Sequence, residues 1–154
     1  IMVYSNQDKK DSLYKIDADR IIDFNASYSF TNQDEVVFGR IGRKGAKSLL
    51  KAHYEIFNVD EQQEFLVQEE NPWSKLFDAM LGEIPVVGMF TGYLFNPKYI
   101  IKNKEGVNVA RLSKEPSFWG RKFKLEKLED FSDDQGERLL LGLMMMSLLE
   151  RRRG

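Results

Sequence analysis

The stretch LLLGLMMMSLL, residues Leu139–Leu149, decides the fold of this chain. Read as a helix, it is apolar on every face, whereas a helix on a protein surface carries a single apolar stripe. Eleven helical residues rise about 16 Å, and crossing a bilayer takes about 20 apolar residues. The stretch therefore predicts a C-terminal helix that is enclosed by the rest of the protein.

The residues on both sides of this stretch predict the ends of the helix. Ser132 and Gln135 have the spacing of a capping box, and Asp133 and Asp134 suit the positive end of the helix dipole. Arg151–Arg153 suit the negative end for the same reason. The spacing predicts a helix over 135–149.

The rest of the chain is typical of short antiparallel strands. Apolar and polar residues alternate in segments that are separated by turn-forming residues such as Asn32–Asp34 and Asn103–Gly106. We expect an all-β protein with one buried helix. The predicted strands are Tyr14–Ile16, Ala26–Phe30, Val36–Ile41, Ala52–Phe57, Glu64–Gln68, Tyr99–Ile101, Val107–Leu112 and Trp119–Leu128.

One segment, residues 71–97, departs from this pattern. Asn71 suits a helix N-cap, Pro72 suits the first helical position, and the apolar residues that follow have helical spacing. The apolar run Ile84–Phe95 contains Pro85 and two glycines, which argue against one continuous helix. We therefore interpret residues 1–154 as a single domain with an insert at 71–97.

A faint internal repeat relates two parts of the chain at a distance of about 70 residues. Each copy has an aromatic strand, a turn, a strand that ends in basic residues and another aromatic strand. The first copy runs from Tyr28 to Ile56 and the second from Tyr99 to Leu125. Two such halves could close into a barrel, which leaves no sheet edge exposed.

The segments Tyr99–Lys114 (YIIKNKEGVNVARLSK) and Phe118–Phe123 (FWGRKF), together with the terminal helix, resemble the tubby-like superfamily. The nearest pattern within it is that of the phospholipid scramblase and LURP-one-related families, and it covers most of Tyr14–Leu149. The resemblance implies a closed antiparallel barrel of about twelve strands around a hydrophobic C-terminal helix. Tubby-type members bind phosphoinositides at membranes, and scramblases are linked to Ca²⁺-dependent lipid movement. Here Glu129–Asp134 lacks the acid spacing of a defined Ca²⁺ loop.

Composition favours no catalytic class. The formal net charge is −1, which gives no global attraction to nucleic acid. Cysteine is absent and His53 is the single histidine, so no thiolate or multi-histidine metal site is possible. No nucleophile–base set or nucleotide loop is present, and we predict a protein that is not an enzyme and has no cofactor. The rival is a hydrolase or transferase whose site is assembled from distant residues.

Cations cluster at related places in the two copies of the repeat, and guanidinium groups match phosphate geometry. They indicate an anionic head-group site, although a solvated strand face with acidic partners is an equally simple interpretation. Trp73 and Phe77 could enter a membrane interface or belong to the core. The candidate phosphate contacts are Arg43, Lys44, Arg111, Lys114 and Arg121.

By resemblance, the chain looks like a cytoplasmic, membrane-peripheral protein that binds anionic phospholipid. The alternative is a protein-interaction scaffold that docks a protein partner through the insert at 71–97. Nucleic acid is not expected as a partner.

Overall fold

The computed structural model describes residues 1–19, 26–43, 53–70, 98–115 and 122–151. These residues form nine strands and one helix. The strands are β1 (Met2–Tyr4), β2 (Ser12–Ala18), β3 (Ser27–Asn32), β4 (Val37–Arg43), β5 (His53–Phe57), β6 (Gln63–Glu69), β7 (Lys98–Asn103), β8 (Asn108–Glu115) and β9 (Lys122–Lys127), and the helix is α1 (Asp133–Arg151).

The strands form one antiparallel meander in which each strand pairs with the next along the chain, in the order β1 to β9. The predicted β-rich fold with a C-terminal helix is confirmed. The sheet is open, because β1 and β9 are its two edges and do not pair with each other. A closed barrel of about twelve strands is therefore not what the described residues form.

Each of the eight predicted strands overlaps an observed strand, whereas β1 was not predicted. Met2–Tyr4 is three residues long, too short to show an alternating pattern. Its pairing is set by the partner, since Val3 lies opposite Tyr14 and the Ile1 carbonyl accepts a 2.7 Å hydrogen bond from the Ile16 amide. A strand of this kind cannot be predicted from its own residues and is recognised only by its pairing with β2.

The helix lies across the middle of the sheet and packs against β4 and β5. It begins with the predicted capping box. The backbone N–H of Gln135 donates to Ser132 Oγ at 3.3 Å, and the backbone N–H of Ser132 donates to the side-chain Oε1 of Gln135 at 3.1 Å. The close approach depends on Gly142, where a Cβ would lie 2.5 Å from Cδ1 of Ile56. The core formed here includes Phe30, Ile41, Ile56, Phe65, Val67, Ile101, Leu139, Leu141 and Met146.

Enclosure of the helix is incomplete on one side. Leu140, Met144 and Leu148 recur every four residues and are 53, 40 and 38% exposed. This stripe faces away from β4 and β5, where the sheet does not close. The sequence prediction of an apolar helix within the sheet is thus correct for most of its circumference, and one apolar face remains uncovered.

The internal repeat is visible in the register of two hairpins. Tyr28 lies opposite Ile41 in the β3–β4 hairpin, and Tyr99 lies opposite Leu112 in the β7–β8 hairpin. Both hairpins have a bulge at the same place, after Phe30 in the first and after Ile101 in the second. The repeat makes Arg40 equivalent to Arg111, and Arg43 equivalent to Lys114.

Candidate anion-binding site

The strand order gives the sheet two ends of opposite charge. Because each strand runs antiparallel to its neighbours, successive connections lie at alternating ends of the sheet. One end carries the β1–β2, β3–β4, β5–β6, β7–β8 and β9–α1 connections, and we call it the acidic end. The other end carries the β2–β3, β4–β5, β6–β7 and β8–β9 connections and the C-terminus, and we call it the basic end.

The acidic end consists of tight turns that are fully described. In three of these turns, an asparagine side-chain Oδ1 accepts hydrogen bonds from backbone N–H groups further along the turn, at 2.9 to 3.0 Å. The asparagines are Asn32, Asn58 and Asn103. The five connections contain nine acids and three lysines. The acids are Asp8, Asp11, Asp34, Glu35, Asp60, Glu61, Glu105, Glu129 and Asp130, and the lysines are Lys9, Lys10 and Lys104.

The basic end has the opposite balance. Its connections and tail are residues 19–26, 44–52, 70–97, 116–121 and 152–154, most of which lie outside the described residues. The sequence places eight cations and five acids in them. The cations are Arg20, Lys44, Lys47, Lys51, Lys75, Arg121, Arg152 and Arg153, and the acids are Asp19, Asp23, Glu70, Asp78 and Glu83.

Arg43 ends β4 at the basic end and lies on the inner face of the sheet. It pairs with Tyr54 in the β4–β5 ladder, and its Cζ lies 5.6 Å from the centre of the Tyr54 ring. Its Nε and Nη2 atoms are buried and have no hydrogen-bond partner among the described residues. A guanidinium whose N–H groups have no hydrogen-bond partner is suited to bind an anion. A buried donor without a partner lowers the stability of the fold, and an anion would supply the missing acceptor.

Two tyrosines and two carboxylates surround the inner side of this end. The Tyr54 hydroxyl donates a 2.6 Å hydrogen bond to Glu150 Oε1 at the end of the helix. Burial, and then this bond to Glu150, raises the pKa of Tyr54. Burial also raises the pKa of Tyr99, and the charges of Glu150 and Glu69 raise it further. Both hydroxyls therefore stay protonated at neutral pH.

Lys114 lies at the place that the repeat makes equivalent to Arg43. It is two residues after buried Leu112 on β8 and pairs with Phe123, so it shares the inner face at the basic end. Two of the predicted phosphate contacts, Arg43 and Lys114, therefore lie on one face at one end of the sheet.

Arg111, another of the predicted phosphate contacts, lies on the opposite face of the sheet from Arg43 and Lys114. It is on the outer face of β8, where its Nη2 donates a 3.1 Å hydrogen bond to Glu70 Oε1. Its equivalent in the first copy, Arg40, also lies outward and is ion-paired with Glu61. Side chains alternate between the two faces along a strand, so residues three positions apart lie on opposite faces. Arg40 and Arg43 are three positions apart, and so are Arg111 and Lys114.

Four residues of the predicted site, Lys44, Arg121, Trp73 and Phe77, lie outside the described residues. Of these, Lys44 directly follows β4 and Arg121 directly precedes β9 in the chain.

His53 contacts two neighbouring side chains on β5 and β6. Its Nδ1 lies 3.4 Å from the Gln68 side-chain amide, and its Nε2 lies 3.7 Å from Glu55 Oε1. The adjacent residues Glu69 and Glu70 point to opposite faces of the sheet, since Glu69 is 5% exposed and Glu70 forms an ion pair with Arg111 on the outer face. In the described part of the chain, no three His, Asp or Glu side chains are grouped for a metal ion.

Sequence reasoning missed Tyr54 as the neighbour of Arg43, and Glu150 as the acceptor of the Tyr54 hydrogen bond. The available signal was the repeat itself, whose register pairs Arg43 with Tyr54 once the β4–β5 hairpin is drawn. Glu150 could not be found this way, since its place depends on how the helix crosses the sheet.

Comparison with protein-family models, with curated proteins and with solved structures finds no match to this chain. The resemblance to the tubby-like superfamily stays a prediction. None of the described helices is long and apolar enough to cross a membrane.

Proposed function

We propose that this protein is a non-enzymatic, cytoplasmic module that binds anionic phospholipid at a membrane surface through its basic end. The single observation that carries the proposal is the separation of charge between the two ends of the sheet. A net charge of −1 hides this separation, because the excess acids of one end offset the excess cations of the other. A membrane surface of negative potential would attract one end and repel the other.

Arg43 and Lys114 are the described residues that we propose as head-group contacts. Both are cations at the basic end, and Arg43 has N–H groups without a hydrogen-bond partner among the described residues. Lys44 directly follows Arg43, and Arg121 directly precedes β9, whose Phe123 pairs with Lys114. They complete the proposed set, with Trp73 and Phe77 as interfacial anchors. We leave Arg111 out of the set, because its ion pair with Glu70 already uses its charge.

We also propose that the sheet belongs to the tubby-like architecture. Support comes from an antiparallel meander wrapped around a C-terminal helix and from the repeat of two hairpins in matching register. Closure into a barrel of about twelve strands would need strands beyond the nine described.

A protein-interaction scaffold is the second candidate. Residues 71–97 leave and re-enter the sheet between β6 and β7, where the Glu70 amide donates to the Lys98 carbonyl at 2.8 Å. A segment of 27 residues anchored at two adjacent strand ends could present an independent docking surface. Its apolar residues would then serve a protein partner instead of a lipid surface.

Liposome co-sedimentation separates the two candidates. We expect binding to vesicles that contain anionic lipid, no binding to neutral vesicles, and weaker binding at high salt, since exposed charges are screened within about 8 Å at physiological ionic strength. Replacing Lys44→Glu and Lys114→Glu together should weaken binding by at least about 1 kcal/mol per residue. Absence of binding to every anionic vesicle would favour the scaffold.

The chain offers a matched control at its acidic end. Lys9→Glu with Lys10→Glu changes the net charge by the same amount on exposed residues of the β1–β2 turn. This variant should bind anionic vesicles as well as the unmodified protein does. Equal losses in both double variants would show that overall charge, and not the basic end, governs binding.

A further inference from the structure

The edge strand β9 and the uncovered stripe of the helix form one continuous apolar groove. It has a volume of about 410 Å³ and is lined by residues of β8, β9 and α1. Phe123 and Leu125 form its wall, and Leu140, Met144 and Leu148 form its floor. These five side chains are 38 to 53% exposed, so a contiguous apolar surface faces solvent.

The groove lies beside free backbone groups. The Leu128 amide donates a 2.9 Å hydrogen bond to the Val109 carbonyl. This bond shows which residues of β9 are hydrogen-bonded to β8 and which are not. Because paired and unpaired positions alternate in an antiparallel ladder, the N–H and C=O groups of Phe123, Leu125 and Lys127 point away from β8. No further strand among the described residues pairs with β9.

The outer face of the same strand has a net positive charge. Lys122 and Lys124 alternate with the groove residues Phe123 and Leu125, and each is exposed. Glu126 follows on the same face, where it lies opposite Arg111 of β8. A strand that pairs with β9 would therefore meet an apolar surface on one face and ammonium groups on the other. A strand with alternating apolar and acidic residues matches both faces, because cross-strand pairs of opposite charge stabilise a sheet.

We propose that β9 and the groove bind an extended peptide segment of a partner protein, with apolar and acidic residues in alternation, as a tenth strand of the sheet. This surface lies along the edge of the sheet, and it goes beyond the lipid contact proposed for the basic end. Main-chain hydrogen bonds to β9 supply affinity, and the alternate side chains supply specificity. The carboxylates face Lys122 and Lys124, and the apolar side chains lie over Leu140 and Met144.

A second copy of the chain is a poorer occupant. The strand KFKLEK carries three lysines and one glutamate, so antiparallel pairing of two β9 strands brings together an excess of like charge. Like charges on opposed strands are destabilising, and lysines on an edge strand act against self-pairing. The net positive charge of β9 therefore favours a partner strand with a net negative charge.

The test uses the full chain and a fluorescently labelled synthetic peptide in which glutamate alternates with valine and isoleucine. We expect saturable binding by anisotropy, and no binding of a scrambled peptide of the same composition. Lys122→Glu with Lys124→Glu should weaken binding at least about tenfold and should create binding to the matching lysine peptide. Met144→Lys, a change at an exposed position, should also weaken it at least about tenfold.

Lys9→Glu with Lys10→Glu serves as the control and should leave peptide affinity unchanged. Peptide binding that survives both groove variants would overturn the proposal. Self-association of the chain that Met144→Lys abolishes would assign the groove to a second copy. Loss of vesicle binding in Met144→Lys, with peptide binding intact, would assign it to lipid, and either result contradicts a peptide site.

Discussion

At the scale of single residues, two neighbouring leucines of the helix differ sharply in their surroundings. Leu139 is 1% exposed in the core, whereas Leu140 is 53% exposed in the groove. Leu139→Asp places an unpaired charge in the core and should lower the free energy of unfolding by several kcal/mol or prevent folding. Leu140→Asp should leave stability within about 1 kcal/mol. Urea unfolding of both variants checks this, and equal effects would contradict the orientation of the helix.

Three tyrosines make stability depend on alkaline pH. Burial, and then the hydrogen bond to Glu137, raises the pKa of Tyr14 to about 12, and the pKa values of Tyr54 and Tyr99 are also raised. The folded state therefore holds these protons more tightly than the unfolded chain, where the pKa is about 10. The free energy of unfolding should be constant while the pH is well below the unfolded-state pKa of about 10. It should fall as the pH rises from about 10 toward 12, because the unfolded chain then loses these protons first.

Tyrosinate absorbance provides the measurement. Of the six tyrosines, Tyr14, Tyr54 and Tyr99 should stay protonated near pH 11 (about one unit above the unfolded value) while the chain is folded, and should ionise when denaturant is added. Ionisation of all six tyrosines near their unfolded value in the folded protein would show that these hydroxyls are not enclosed as described.

At the scale of elements, the hairpin turns of the acidic end share one backbone design. Glu35, Glu61 and Gly106 each follow an asparagine by three positions and have a positive φ, of 59, 60 and 83°. An L-residue in this left-handed region is strained by roughly 1 kcal/mol, which glycine avoids. Glu35→Gly should therefore stabilise the chain by up to about 1 kcal/mol.

Gly106→Ala is the reciprocal change at the equivalent turn. A Cβ at Gly106 would have open space around it, so the change tests the backbone alone. It should destabilise the chain by about 1 kcal/mol in urea unfolding. The same sign of effect for both substitutions would contradict the common turn.

The strands could be predicted from sequence because an alternating pattern is local, and Tyr99–Ile101 or Ala52–Phe57 contain that pattern within themselves. The capping box at Ser132 was found for the same reason. Whether β9 meets β1, and whether Leu140 is covered, depends on the curvature of the whole sheet, which no short segment encodes. The candidate phosphate contacts were chosen from the repeat, and the repeat alone does not show that Arg43 and Arg111 lie on opposite faces of the sheet; the two-residue period of the strands does.

At the scale of the whole molecule, the nine strands and one helix of the described residues form a sheet with an acidic end, a basic end and an open edge. The acidic end consists of tight turns, and the basic end holds the longer connections. The proposed membrane contact belongs to the basic end and the proposed peptide contact to the edge strand. The two could therefore be occupied at the same time.

The orientation of the molecule on a membrane tests the central claim most directly. The chain has no cysteine, so Lys98→Cys at the basic end and Lys104→Cys at the acidic end can each carry one environment-sensitive fluorophore. Both lysines are exposed, and both variants change the charge equally. With anionic vesicles, we predict a blue shift of the emission at residue 98 and none at residue 104. An equal or larger shift at residue 104, or no shift at either position, would contradict binding through the basic end.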